Sequence, residues 1–189
     1  VEQEALWDCL YLTPADLGKV LTIIKDRADQ PMVYPMILMA AHTGARRSEI
    51  LRSQVQDFDL ESNLVVIREK KRAKGRRTTR IVPLSPTLAK TIADWLKIHT
   101  GCKYTFCRQL NPSEASTLGE YGPVSVDQAT DFLRRCLAGT DWAKIRGWHV
   151  FRHSFISNCA SKGIDQRMID TWSGHQTEEM RRRYTHLFP

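Results

Sequence analysis

The sequence predicts a mainly α-helical domain with one small antiparallel β-sheet. Apolar residues recur at three- and four-residue spacing over most of the chain, as on the buried face of a helix. Several of these segments begin with Ser or Thr and carry Pro or an acidic residue in the first turn, which is typical of helix starts. The stretch 58–83 changes to short β-branched runs with turn residues between them. A chain of 189 residues can form its core without a metal or a disulfide.

Three helices are expected in the N-terminal part. The segment Thr13-Pro14-Ala15-Asp16 marks the start of the first helix, because Thr is a good N-cap and Pro fits the first turn. Its buried face is expected to consist of Leu17, Val20, Leu21 and Ile24. A second helix is expected over Tyr34–Gly44. A short third helix over Ala45–Leu51 carries Arg46 and Glu49, whose i, i+3 spacing places both on one face.

A β-hairpin follows these helices. Its first strand is the β-branched run Leu64–Ile67, which comes after a turn at Glu61–Asn63. The basic stretch 72–77 is expected to be a loop, and Thr79–Pro83 is the returning strand. The hairpin therefore carries basic charge at its tip.

The middle of the chain is expected to contain two helices and a short strand. Ser85 and Pro86 begin a helix with an apolar face made of Leu88, Ile92, Trp95 and Leu96. A short strand is expected over Tyr104–Cys107. The Gly-, Ser- and Pro-rich segment Asn111–Pro123 is interpreted as a loop, and Ser125 caps a helix that runs to about Leu137.

Three further helices complete the prediction. One begins near His149 and ends at Gly163, with Phe151, Phe155 and Cys159 in an i, i+4 row. The next is indicated by Ile164, Met168, Ile169 and Trp172. A last helix is expected to begin at Thr177 and to carry Tyr184.

The net charge of +7 is concentrated in one segment. The stretch 68–80 contains eight basic residues and one acid, so it accounts for the whole excess. The basic residues are Arg68, Lys70, Lys71, Arg72, Lys74, Arg76, Arg77 and Arg80, and the acid is Glu69. A local concentration of this kind is typical of a protein that binds a polyanion, and nucleic acid is the commonest polyanion. The alternative is a basic hairpin that is only solvated.

The composition argues against a membrane or secreted protein. The chain has no run of 18 apolar residues, and Glu2 and Glu4 stand where a signal peptide would be basic. Five cysteines are scattered without a Cys-x-x-Cys pair: Cys9, Cys102, Cys107, Cys136 and Cys159. We expect reduced thiols in a cytoplasmic protein. Zinc binding by Cys102 and Cys107 would lack a second ligand pair.

Two groups of residues carry the candidate chemistry. Arg46 lies in Thr-Gly-Ala-Arg-Arg-Ser-Glu, and about a hundred positions later come His149, Arg152, His175 and Tyr184. Arginines can neutralise a phosphate, histidines can transfer protons, and a tyrosine can act as nucleophile. These side chains suffice to attack a phosphodiester without a metal or another cofactor. A metal-dependent nuclease is disfavoured, because no carboxylate cluster accompanies the histidines.

These motifs resemble the catalytic domain of the tyrosine recombinases, or phage integrases. The resemblance rests on Thr-Gly-x-Arg-x-x-Glu, His-x-x-Arg-His, Gly-His and Tyr-Thr-His in this order, and on the hairpin that ends in Val-Pro-Leu. It covers the chain from about Leu12 to its end. By resemblance, Tyr184 forms a 3′-phosphotyrosine with double-stranded DNA and frees a 5′-hydroxyl, without a cofactor or a metal.

The resemblance also implies roles for the other residues. Arg46 and Arg152 bind the nonbridging phosphate oxygens, and His149 and His175 transfer protons or bind the phosphate. Two supporting residues are Glu49, which is expected to orient Arg46, and His153, which is expected to pack beside the site. Backbone phosphates are expected to be contacted by Lys70, Arg72, Lys74, Arg76 and Arg77.

The family uses a lysine of the hairpin as general acid, and three lysines are candidates here. Counting four residues on from Ile67 gives Lys71, which we favour, whereas counting back from Pro83 favours Lys74. Lys70 is the third candidate. The choice among them is left open by the sequence.

The domain prediction is a single catalytic domain over residues 1–189. The family usually has a separate N-terminal DNA-binding domain, for which this chain has no room, so we expect a fragment. The full-length protein is expected to act as a homo-oligomer, a tetramer, on DNA. Two alternatives remain: the same cleavage chemistry in a type IB-like topoisomerase or telomere resolvase, and a non-catalytic DNA-binding module that keeps the fold.

Overall fold

The computed structural model describes residues 11–69 and 78–174. The helices are α1 (Pro14–Arg27), α2 (Val33–Thr43), α3 (Arg47–Ile50), α4 (Pro86–Lys97), α5 (Pro112–Leu118), α6 (Val126–Leu137), α7 (His149–Ser161) and α8 (Gln166–Ser173). The strands are β1 (Phe58–Asp59), β2 (Leu64–Arg68), β3 (Thr79–Pro83), β4 (Cys107–Gln109) and β5 (Tyr121–Pro123). A 3₁₀ turn, Val55–Asp57, precedes β1. The predicted fold class, mainly α with a small antiparallel sheet, is confirmed.

The core is built around α2. Apart from Tyr34 and His42, every residue of this helix is buried, because α1, α4, α6 and α7 all pack against it. A helix that is apolar on all sides is stable only in such a central position. The residues that follow α2, which include Arg46, therefore start from a fixed point in the middle of the domain.

The three-stranded sheet has the order β1-β2-β3 and is antiparallel throughout. Ile67 lies opposite Arg80, and Arg68 lies opposite Thr79, so the hairpin has the predicted strands and a regular register. Alternation buries Val65 and Ile67 on β2, and Arg80 and Val82 on β3. The sheet is joined to the helical core because α3 packs against β2 and α8 packs against β3.

The prediction of a loop over Asn111–Pro123 was wrong. This segment contains α5 and β5, and β5 pairs with β4 in a second, two-stranded sheet. Asn111 caps α5, since its side chain accepts from the Glu114 amide while the Glu114 carboxylate accepts from the Asn111 amide. Gly122 belongs to β5, where a Cβ atom would lie 2.9 Å from the Leu110 side chain. In this segment, Pro112 lies in the first turn of α5, and Gly122 allows a close contact with Leu110.

Two smaller predictions also need correction. The strand expected over Tyr104–Cys107 begins only at Cys107, and Tyr104 makes an isolated bridge to Gln54. The helix indicated by Ile164, Met168, Ile169 and Trp172 begins only at Gln166, after Ile164. Of these residues, Met168 is 48% exposed, whereas Ile169 is buried. The basic loop 72–77 and the last predicted helix, from Thr177, lie outside the described residues.

The other expectations of the sequence can be compared with the described residues directly. Cys102, Cys107, Cys136 and Cys159 are free cysteines. Within the described ranges, no helix combines the length and the apolar character that a membrane span requires. In the same ranges, no group of three or more His, Cys, Asp or Glu side chains could hold a metal ion.

Candidate active site

Arg46 occupies the N-cap position of α3, directly after a sharp turn of the chain. Gly44 ends α2 in the left-handed conformation, with φ of 63°, and the Thr43 hydroxyl accepts a hydrogen bond from the Ala45 amide. The turn leaves the Arg46 side chain partly exposed, at 32%. Arg46 was predicted to lie inside the helix, but it precedes the first helical residue.

Glu49 holds Arg46 through both its backbone and its side chain. The Arg46 amide donates to Oε2 of Glu49 at 2.9 Å, and Nη1 of Arg46 donates to Oε1 at 3.0 Å. The expected contact between these two residues is confirmed. Burial raises the pKa of Glu49, but hydrogen bonds and positive charge from Arg80 and Arg46 outweigh this effect and hold its pKa below the ordinary value. The buried carboxylate is therefore ionised at neutral pH.

Arg80 is the second partner of Glu49 and was not predicted as a site residue. Its Nη2 donates to Oε2 of Glu49 at 2.7 Å, and its Nη1 lies 3.2 Å from Oε1 of Glu69. Its Nε donates to the backbone carbonyl of Trp172 at 2.7 Å. The strand alternation could have indicated this residue, since Arg80 shares the inward face of β3 with Val82.

The contacts of Arg80 and Arg68 reduce the number of basic residues in 68–80 that are available to bind a polyanion. Arg80 is buried, and at the other end of the segment Arg68 pairs with Asp57 through Nε and Nη2. Both ends are thus ion-paired within the protein. The positive charge expected to be available to a polyanion is confined to 70–77, which lies outside the described residues.

Arg47, the neighbour of Arg46, is directed away from Glu49. Its Nη1 donates to the Thr130 hydroxyl on α6 at 2.5 Å. The two adjacent arginines therefore have different environments: Arg46 is held by a carboxylate near the sheet, and Arg47 by a helix on another side of α3.

Arg152 is brought to the turn that precedes Arg46. It lies on α7 and is buried, and its Nη1 donates to the Gly44 carbonyl at 2.6 Å. The residues joined by this bond are 108 positions apart in the sequence. The two arginine motifs thus lie next to each other in the fold.

The histidines of α7 lie on the same part of this helix. His149 is the first helical residue and is exposed, and His153 is partly buried one turn later. Their ring centroids are 6.3 Å apart. His149 is three residues before Arg152 on the same helix, so the two residues lie on one face of it.

The C-terminal end of α8 lies close to the carboxylate of Glu69, which is also a partner of Arg80. Gly174 terminates the helix with φ of 68°, and a Cβ atom there would lie 2.6 Å from Oε1 of Glu69. His175 follows directly in the sequence. His175 and Tyr184, together with Lys70, Lys71, Arg72, Lys74, Arg76 and Arg77, lie outside the described residues.

The chain matches the model of the phage integrase family over residues 11–189. It is 27% identical over 167 residues to the type 1 fimbriae regulatory protein FimB of Escherichia coli K12, covering 88% of this chain and 78% of FimB. It is 25% identical over 186 residues to tyrosine recombinase XerA of Pyrococcus furiosus, covering 93% of this chain and 57% of XerA.

Solved structures share the fold. A crystal structure of XerA recombinase superposes with a TM-score of 0.71 at 22% identity, covering 94% of this chain and 60% of that one. The Tn1549 transposon integrase in complex with circular intermediate DNA gives a TM-score of 0.73 at 18% identity, covering 96% of this chain and 63% of that one. The chain thus spans less than two thirds of the length of these two proteins.

Proposed function

Because this chain belongs to the phage integrase family and has the fold of a tyrosine recombinase catalytic domain, we propose that it breaks and rejoins double-stranded DNA through Tyr184. The observation that carries the proposal is the hydrogen bond between Arg152 and the Gly44 carbonyl. This bond supports the proposal because it brings Arg152 to the turn that precedes Arg46, although the sequence separates the two arginines widely.

The arginines have complementary roles in this proposal. Arg46 is partly exposed and would meet the scissile phosphate first, while Arg152 would bind it from the buried side. A planar guanidinium can donate two parallel hydrogen bonds to a phosphate, and it stays charged at any relevant pH. Donors of this kind stabilise the charge that develops in the transition state by about 3–4 kcal/mol each.

The chemical steps can be assigned to residues of this chain. The Tyr184 oxygen attacks phosphorus, a bond forms between them, and the bond to the 5′-oxygen breaks. By the family resemblance, His149 and His175 accept the phenolic proton or bind the phosphate, and Lys71 gives a proton to the leaving 5′-oxygen. The reverse attack by a 5′-hydroxyl restores the phosphodiester, so no ATP is consumed.

The proposed reaction implies two kinds of partner, which are DNA and further copies of the same protein. Some relatives are seen on DNA, among them the Tn1549 integrase and the XerH recombinase bound to difH substrate. Exchange of two duplexes breaks four strands, and one tyrosine serves each strand. We therefore propose that the whole protein acts on DNA as a tetramer, in which each protomer contributes one such catalytic domain.

Covalent trapping tests the proposal. The chain is incubated with supercoiled plasmid in EDTA and quenched with SDS, and the protein–DNA adduct is mapped by mass spectrometry. We expect an adduct on Tyr184 in the wild type and in the control Tyr121→Phe, and none in Tyr184→Phe. Unchanged DNA affinity in Tyr184→Phe would show that only the nucleophile was lost.

Two results would contradict the proposal. Cleavage that persists in Tyr184→Phe would exclude this residue as nucleophile. Tight DNA binding without any adduct, including on a nicked duplex that cannot religate, would favour a non-catalytic DNA-binding module.

A further inference from the structure

We propose that Arg80 is a positioning residue, which fixes the Glu49 carboxylate and through it the guanidinium of Arg46. The inference rests on the proposed function, because it assigns Arg80 to the site that would bind the scissile phosphate. Arg80 belongs to the hairpin, but its charge is paired with carboxylates inside the protein.

The guanidinium of Arg80 donates hydrogen bonds from Nε, Nη1 and Nη2. Both oxygens of Glu49 are reached, at 2.7 Å by Nη2 and at 3.2 Å by Nη1, while Nη1 also reaches Glu69. Nε donates to the Trp172 carbonyl. Four acceptor atoms from three residues, in three parts of the chain, therefore orient one planar group.

Because Arg80 and its two carboxylate partners are buried, the loss of one of these contacts is costly. The side chains of Arg80, Glu49 and Glu69 are 6%, 2% and 7% exposed, so water cannot replace a lost partner. The donors of Arg80 are already directed at Glu49, Glu69 and the Trp172 carbonyl, so its guanidinium is committed to groups of the protein. Its effect on the reaction must pass through the groups that it holds.

Arg80 and Arg46 share the same carboxylate. Oε1 of Glu49 accepts from Nη1 of Arg46, and Oε2 accepts from Nη2 of Arg80. Without Arg80, the Glu49 carboxylate would be free to turn and pair more completely with Arg46. That change would displace Arg46 and reduce the positive charge that it offers to a phosphate.

Lysine is a sharp probe of this role. It keeps the positive charge of Arg80, but a single ammonium cannot reproduce the planar fork that reaches Glu49, Glu69 and the Trp172 carbonyl together. Arg108→Lys is the matched control, because Arg108, on β4 of the other sheet, makes a two-point contact with Glu114 on α5. Arg80→Gln combined with Glu69→Gln removes one charge of each sign and serves as a second variant if Arg80→Lys does not fold.

The first measurement is independent of cleavage. The Nε–Hε resonance of Arg46 is assigned by NMR in the wild type, Arg80→Lys and Arg108→Lys. We expect it to shift or broaden in Arg80→Lys and to stay unchanged in Arg108→Lys. An unchanged Arg46 resonance in Arg80→Lys and in the double variant would overturn the inference.

The second measurement uses cleavage of a nicked duplex built around a site mapped from wild-type adducts. The scissile group is either the normal phosphate or a neutral methylphosphonate, which needs less charge stabilisation from Arg46. At saturating DNA, we expect Arg80→Lys to slow cleavage of the phosphate by about ten- to a hundredfold and of the methylphosphonate by less than about threefold. A merely structural role would slow both equally and would overturn the inference.

The two failures are distinguishable. If the wild type forms no adduct, the proposed function fails, while the Arg46 resonance still decides whether Arg80 positions it. If the wild type cleaves and Arg80→Lys loses the same factor on both substrates, the proposed function stands and the role of Arg80 is refuted.

Discussion

Arg152 donates a hydrogen bond of 2.6 Å from Nη1 to the backbone carbonyl of Gly44. This contact ties the helix that carries His149 to the turn that presents Arg46. Because the acceptor belongs to the backbone, its position depends on the conformation of Gly44, which has φ of 63°. The glycine thus controls the geometry of two motifs.

Gly44→Ala should therefore destabilise the protein. The left-handed backbone disfavours a side chain, and the new Cβ would lie 2.6 Å from Cδ1 of Phe155. We expect the free energy of unfolding to fall by about 1–3 kcal/mol, as in other overpacked sites. Urea unfolding measures it.

Gly18→Ala is the matched control. Gly18 lies within α1, and a Cβ there would meet nothing within 4 Å. Alanine should stabilise this helix by about 0.5–1 kcal/mol. Equal effects of the two substitutions would show that the conformation at Gly44 is not constrained.

Arg46→Lys should slow cleavage while its neighbour tolerates the same change. Arg46 is held by Glu49 at the site, whereas Arg47 is turned away to Thr130. Loss of a donor to the transition state slows cleavage by about a hundred- to a thousandfold. Single-turnover cleavage of DNA measures the rate, and Arg47→Lys should change it little. Similar losses in both variants would contradict the assignment of Arg46.

Glu49→Gln should lower stability in a pH-dependent way. Breaking a buried ion pair costs about 3 kcal/mol, because Arg80 loses one of its two carboxylates. The folded pKa of Glu49 is below its ordinary value of 4.5. Its contribution is therefore fully present above pH 4.5 and is lost as the pH falls through the folded value. Urea unfolding from neutral to acidic pH should show the wild type converging on the variant.

The control for this experiment is Glu114→Gln. Glu114 pairs with Arg108, but its side chain is 36% exposed. A surface pair contributes about 0–1 kcal/mol. A larger effect at Glu114 than at Glu49 would refute the importance of the buried network.

Neutralising Lys70, Lys71, Arg72 and Lys74 together should weaken the salt dependence of DNA binding. Each phosphate contact releases counterions and adds about 0.9 to the slope of log K against log salt. The Kd is measured over a range of NaCl concentrations. Changing Lys19, Lys25, Lys90 and Lys97 to Gln removes the same charge from α1 and α4 and should leave the slope intact. An unchanged slope in the hairpin variant would exclude backbone contacts by these residues.

Local chemistry determined much of the fold. Thr13, Ser85 and Ser125 were predicted as helix caps, and each accepts a hydrogen bond from an amide of its own first turn. The strand Thr79–Pro83 has the predicted bounds. Such features involve neighbours within a few residues, so the sequence contains their cause. The Asn111–Glu114 capping box was also local, but the surrounding Gly, Ser and Pro residues obscured it.

The sequence by itself determined the family, the order of the chemical residues and the contact between Arg46 and Glu49, which are three positions apart. Only the tertiary structure decided that Arg152 meets Gly44, and that Arg80 joins Glu49, Glu69 and the Trp172 carbonyl. The partners of Arg80 at Glu49 and Trp172 are 31 and 92 positions away. Strand alternation could indicate that Arg80 faces inward. Which carboxylates it meets there depends on which charges the folded chain removes from water together, and no local pattern specifies that.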